Sequence, residues 1–391
     1  MPVESLPISK PEDENFETAQ VAPVVGAHFI HDLYTAGIPA LLPVIIEKLT
    51  LTLTQAGMLT VFLQLPAMLN PFIGYMADRV SLRYFVILAP GLTATLIGSL
   101  SFADSYFGMA LLLLAAGVSV AMFHAPAPAM IASVSGKQVG LGMSLFMAAG
   151  ELARTIGPLL AVWAVTMWTF DGYFRIMLLG WATSLILFWR LKGVSARTSK
   201  TDSFKSLKPF LRSLFLPLAL ILFTRNFMMV AMTTYLPTFM IMEGADLWLA
   251  GIALSILELA AVGGALLSGT ISDRVGRKNV LLIATIAASI FLLIFLNVEG
   301  WLLVPVLLLL GFTALSTAPV MLAIVQDQMP NNRALGNGLF LFLSFLLRSF
   351  ATLLIGLAGD NLGLETAYYA SAVIALGAIP AIMMLPHREN I

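Results

Sequence analysis

Two histidines and an aspartate, His28, His31 and Asp32, sit together in an otherwise apolar stretch of this chain. Spacings of three and four residues put them on one face of a helix. A carboxylate among imidazoles can take up and release a proton. Other apolar runs are also interrupted by ionisable residues: His124, Glu151 with Arg154 three residues on, Arg225, Glu258 and Arg348. Arginine offers a planar fork of donors that suits a carboxylate or a phosphonate. At bilayer depth a charge costs about 2.5–3.5 kcal/mol on insertion scales, so such residues face a cavity or a partner. Asp32, His31, Glu258, Glu151 and His28 are therefore the candidates for proton coupling. Arg225, Arg348, His124, Arg154 and Tyr34 are the candidates for holding a solute. Plainer roles compete for some of them. Glu151 and Arg154 can satisfy one another, His28 can be a packing residue, and His124 can bond a carbonyl freed by Pro126 and Pro128, which cannot donate.

The elements that position these residues follow from composition. Of 391 residues, 59% are hydrophobic and only 11% charged, against about a quarter charged in a soluble protein. Most of the surface must face lipid. A bilayer span needs about 20 apolar residues, and twelve such runs are legible, at roughly 21–46, 55–76, 84–103, 106–134, 139–165, 173–191, 214–241, 247–271, 279–298, 301–326, 335–358 and 366–385. The connection 192–213 is polar and basic. The expected organisation is a tail at 1–20, a six-helix bundle at 21–191, a linker at 192–213, a second bundle at 214–385 and a tail at 386–391. The first twenty residues lack the basic start and apolar middle of a signal peptide. Loop Lys and Arg crowd the side of the linker, the opposite side receiving only Lys48 and Arg175. Both termini and the linker are thus expected in the cytoplasm.

The chain also repeats itself. Gly74-Tyr-Met-Ala-Asp78-Arg79-Val-Ser-Leu-Arg83 returns 195 residues later as Gly269-Thr-Ile-Ser-Asp273-Arg274-Val-Gly276-Arg277-Lys278. At a spacing of 194 residues Phe29-Ile-His31-Asp32 aligns with Phe223-Thr-Arg225-Asn226, and Leu42-Pro43 with Leu236-Pro237. Two membrane repeats facing each other are a common way to enclose a transported solute. In each turn the Asp can accept from a neighbouring helix N-terminus, and the basic residues can pair with carboxylates or lipid heads. Gly74, Asp78, Arg79, Arg83, Gly269, Asp273, Arg274, Arg277 and Lys278 are expected to form a latch on the linker side.

With its twelve spans, basic linker and duplicated turn, the chain resembles a major facilitator superfamily transporter along its whole length. Within that superfamily it is most similar to the fosmidomycin-resistance family of exporters. The stretches that carry this are His28-x-x-His31-Asp32 before Ala40-Leu-Leu-Pro43, Leu53-Thr-Gln55-Ala-Gly57 running to Asn70-Pro71-Phe-Ile-Gly74-Tyr75, and Phe123-His124. The chain departs from the pattern at Ser81, Tyr84, Ala125, Glu151 and Arg154. The resemblance implies an all-α membrane fold of two pseudo-symmetric six-helix bundles, with helices 1, 4, 7 and 10 lining a central cavity.

The expected function is alternating-access transport, a proton-coupled efflux of a small organic anion or drug-like solute across the bacterial inner membrane by a monomer. The partners are that solute, protons and lipid, with no nucleic acid. The same fold could instead run as an anion uptake symporter, and a sensor that moves nothing is the remaining alternative. No enzyme is expected, since the chain has neither a His-Glu-x-x-His zinc site nor a Gly-x-Ser-x-Gly nucleophile turn. With no cysteine and no phosphate-binding loop, no cofactor or metal is expected either.

Overall fold

The computed structural model describes residues 16–77, 81–191, 210–329 and 333–386. Most of both expected tails, most of the linker, and Asp78 and Arg79 of the first turn lie outside the described residues. The helices are α1 (Thr18–Leu49), α2 (Leu53–Leu69, continued by Asn70–Ala77), α3 (Arg83–Phe102), α4 (Tyr106–Val134), α5 (Val139–Trp168) and α6 (Met177–Arg190). The second six are α7 (Arg212–Met242), α8 (Leu247–Val275), α9 (Arg277–Phe295), α10 (Gly300–Gln328), α11 (Gly336–Leu362) and α12 (Leu364–Met384). Ten of these are long and apolar enough to cross a membrane. Helices suit that role because they satisfy every backbone donor internally. Large side chains such as Leu178, Leu266 and Ile283 stay exposed on outward faces, where lipid would cover them.

Several helices break where their sequence demands it. In α1, Gly37 separates Thr18–Ala36 from Ile38–Leu49, with Pro39 supplying no donor. In α4 the break falls at Ala125 and Pro126, and α7 carries a π-helical turn at Ala231–Tyr235. Close crossing of α1 and α5 depends on small residues. A Cβ on Gly37 would lie 2.8 Å from Ala161 Cβ, and one on Gly157 2.7 Å from Ala36 Cβ.

Buried apolar clusters show how the halves meet. On the linker side one cluster (Val21, Phe123, Phe146 and neighbours) comes wholly from the first six helices, another (Phe215, Leu281, Met321 and neighbours) wholly from the last six. On the far side the clusters exchange residues. Leu53, which starts α2, packs into the core of the second half, and Leu247, which starts α8, packs into that of the first. These residues are 194 apart, so the exchange follows the internal repeat.

Candidate substrate and coupling site

Asp32 is the hub of the site. The Nδ1 of His31 lies 2.9 Å and the Nε2 of His124 3.0 Å from Asp32 Oδ1, while His28 Nε2 lies 3.2 Å from Oδ2. Each ring is fixed by packing. His31 stacks on Phe123 with centroids 4.5 Å apart, and His28 on Phe146 at 3.8 Å. The far nitrogens are anchored as well. His31 Nε2 meets Thr93 Oγ1 at 3.1 Å, and Thr93 bonds Ser119 at 2.8 Å. His28 Nδ1 donates to the Phe146 carbonyl at 2.7 Å. Gly150, one turn after Phe146 in α5, makes room for this contact. A Cβ there would come within 2.6 Å of His28 Cε1.

The sequence pairs His28, His31 and Asp32 on one face, but only the fold brings in His124 from α4 and the Phe146 carbonyl from α5. One ring nitrogen each from His28 and His124 and an Asp32 oxygen lie within 4.8 Å of one another. Those donors are of the type that hold a cation. A scan for zinc-binding spacings does not find them, because the ligands lie 96 residues apart in the chain.

From this hub a line of charge runs into the second half. Arg154 of α5 pairs with Glu151 one turn earlier, and its Nε stands 3.9 Å from Glu258 Oε2 of α8. Asp32 and His124 feel the Arg154 charge, and Glu258 feels those of Arg154 and Arg348. Arg348 of α11 donates to Thr233 Oγ1 of α7 at 2.8 Å. Glu151 and Arg154 are therefore more than a self-satisfied pair, because Glu258 joins them across the halves.

Two solute-binding candidates are placed differently from the sequence expectation. Arg225 does not stand locally unpaired toward shared space. It is 1% exposed, with Nη1 donating to Thr285 of α9 at 2.5 Å and Nη2 to the Ala314 carbonyl of α10 at 2.8 Å. The repeat explains this: His31, its counterpart, turns the same way to Thr93 of α3. Tyr34 is likewise buried, in the core of the first half, and donates to the Ile176 carbonyl at 2.9 Å. It lies off the face shared by Asp32 and His28.

The two membrane sides differ. On the far side Asp360, at the end of α11, caps the start of α2 across the halves. It accepts from Leu53 N at 2.7 Å, Thr54 N at 3.0 Å and Thr54 Oγ1 at 2.6 Å. Tyr235 donates to the carbonyls of Leu53 and Thr352 at 3.1 and 3.2 Å. A Cβ on Gly356 would lie 2.7 Å from Thr54 Cα. Asp360, Tyr235, Thr352 and Gly356 were not singled out from sequence, where Asp360 reads as one more polar helix end. Lys48 also ties the far-side ends of α1 and α3, donating to the Ser101 carbonyl at 2.8 Å.

On the linker side the described contacts of the expected latch stay within one half. Arg277 pairs with Asp327 of α10 at 2.6 Å and with Asp273 at 3.2 Å. Lys278 donates to the Met383 carbonyl at 3.4 Å, and Arg83 to Tyr84 Oη at 2.9 Å.

Comparison with known proteins agrees with this architecture. The profile described as Major Facilitator Superfamily matches residues 24–352 and 249–390. The fosmidomycin resistance protein of Escherichia coli K12 is 25% identical over 378 residues, covering 93% of this chain and 92% of that protein. YfnC of Bacillus subtilis 168, an MFS-type transporter, is 24% identical over 375 residues, covering 91% and 90%. Among solved structures, a bacterial homologue of the human lysosomal transporter Spinster, inward-facing and occupied, aligns with TM-score 0.79 at 14% identity, covering 96% of this chain and 97% of that one. A D-xylose–proton symporter aligns at 0.73 and 15%, covering 96% and 98%; at such identities the likeness shows the fold alone. Helix count, internal repeat and full-length match lead to one assignment: this chain is an integral membrane protein that belongs to the Major Facilitator Superfamily, a family of transporters rather than enzymes.

Proposed function

We propose that the chain exports a small organic anion in exchange for protons, by alternating access across the bacterial inner membrane. One observation carries the reading. Asp32, ringed by His28, His31 and His124, lies within electrostatic reach of Arg154, which in turn meets Glu258 of the other half. A carboxylate so placed can exchange its proton as the halves rock, and Glu258 can answer it electrostatically through Arg154. With Arg225 committed to Thr285 and Ala314, the solute's anionic group falls to Arg154, whose side chain is 52% exposed, and to Arg348.

The far-side seal and the self-contained linker-side contacts suit a state facing the cytoplasm. Termini and linker are placed there by the excess of Lys and Arg on that side. Export is favoured over uptake by the relative named for resistance to fosmidomycin. Both halves of one chain supply the path, so a monomer suffices.

The test is flux of fosmidomycin and a panel of organic anions in liposomes of known orientation. An inward-acid pH gradient imposed on inverted vesicles should drive accumulation of an anion, and an uncoupler should abolish it. Gradient-driven uptake confined to right-side-out vesicles, with solute and proton moving together, would replace export by import. No pH-dependent flux for any anion would overturn the reading.

A further inference from the structure

As a neutral ring, His28 has no hydrogen to place between itself and Asp32. A neutral imidazole carries one N–H, and in His28 it is committed to the Phe146 carbonyl, which can only accept. His28 Nε2 therefore turns its lone pair toward Asp32 Oδ2, 3.2 Å away. His124, with no carbonyl among the described residues competing for its hydrogen, can donate to Asp32 as a neutral ring, whereas the Thr93 hydroxyl beside His31 Nε2 donates on to Ser119, so His31 faces the same shortage. Between His28 and Asp32 a positive particle belongs.

We infer that His28 Nε2, Asp32 and His124 Nε2 form a binding site for one divalent first-row transition-metal cation of the zinc type. Two ligands each about 2.1 Å from such a metal stand about 3.0 Å apart at right angles and about 3.4 Å apart at the tetrahedral angle. The separations from the nearer Asp32 oxygen, 3.2 Å from Oδ2 for His28 and 3.0 Å from Oδ1 for His124, fall in that range, while the three ligand atoms as a set lie within 4.8 Å of one another, so binding would draw them slightly together. Imidazole and carboxylate together select zinc, cobalt, nickel or copper over magnesium and calcium. A ligating histidine commonly donates its other N–H to a backbone carbonyl, which fixes the ring and leaves the ligating nitrogen unprotonated. The Phe146 carbonyl does this for His28.

Ring packing completes the support, with His28 stacked on Phe146 and edge-on to His124 at 5.1 Å. Asp32 and His124 remain 18% and 31% exposed at the side chain, so the ion would keep an open position toward solvent. The repulsive charge nearby is Arg154, which Glu151 and Glu258 partly neutralise. An ion here would occupy the place of the exchangeable proton and hold α1 to α4, so micromolar zinc would arrest transport. Metal binding itself does not depend on the transport reading.

The chain has four histidines and no cysteine, which makes the test clean. Full-length protein, purified in detergent without a polyhistidine tag and stripped with a chelator, is titrated with Co2+ by visible absorption and with Zn2+ by calorimetry. One ion per chain is expected, with a visible cobalt band. Each of His28→Gln, His124→Gln and Asp32→Asn should weaken Zn2+ binding at least tenfold, whereas His387→Gln should leave it unchanged. Gel filtration and thermal unfolding of each variant separate lost ligands from lost fold. No saturable binding of either metal up to millimolar concentration would overturn the proposal, and so would binding that survives both His28→Gln and His124→Gln. Wild-type protein that binds zinc but moves no proton would retain the site and sink only the coupling reading.

Discussion

Removing the Asp360 carboxylate should open the far side. In Asp360→Ala three hydrogen bonds to the start of α2 disappear, two from backbone amides and one from a hydroxyl. Loss of a helix-capping acceptor costs about 0.5–2 kcal/mol, and a hydrogen bond to a charged group is worth about 1.5–3 kcal/mol. Asp360 is exposed, so screening keeps the whole near the lower end, about 1–2 kcal/mol. The helix itself keeps a cap. Thr52 Oγ1 still accepts from Gln55 N, and Gln55 Oε1 from Thr52 N. The loss therefore falls on the contact between halves and shifts the conformational equilibrium about 5- to 30-fold. Because the chain has no cysteine, Thr352→Cys makes a single reporter at a position 2% exposed beneath the seal. Its labelling by a membrane-impermeant maleimide should accelerate by that factor in Asp360→Ala, and by less in Asp360→Asn, which keeps one acceptor oxygen. Equal labelling rates with and without the carboxylate would refute the idea that Asp360 holds the halves together.

Three further outcomes are expected. Asp32→Asn should abolish pH-driven transport while downhill exchange persists; full pH-driven transport would move the coupling role to Glu258 or His124 and leave the helix 1 cluster structural. Arg348→Lys, which keeps the charge but loses the planar fork, should weaken anion binding more than tenfold as read by thermal stabilisation, and unchanged binding would remove it from the solute site. Arg225→Lys should instead lower the unfolding temperature, by losing its bonds to Thr285 and Ala314, with solute affinity little altered; a stable variant that no longer binds the anion would restore it to the solute site.

Much of the architecture was legible in sequence because lipid imposes a simple rule. A span must be apolar and about 20 residues long, and the runs read at 106–134 and 247–271 return as Tyr106–Val134 and Leu247–Val275. The repeat was equally legible, since two copies of one helix unit keep their spacing along the chain. The clustering of His28, His31 and Asp32 needed only helical periodicity. Sequence could not say which way a buried side chain turns. Arg225 and Tyr34 looked like cavity residues because both interrupt or edge an apolar run, yet each is held inside its own bundle by a carbonyl or hydroxyl from a distant helix. Sequence also gave Asp360 no distinction, because a carboxylate at a helix end becomes a clasp only when another helix begins against it. The far-side seal, the His124 contribution from α4 and the fixed hydrogen of His28 were decided by tertiary structure. Hydrogen bonds act over about 3 Å, and only packing settles which groups come that close.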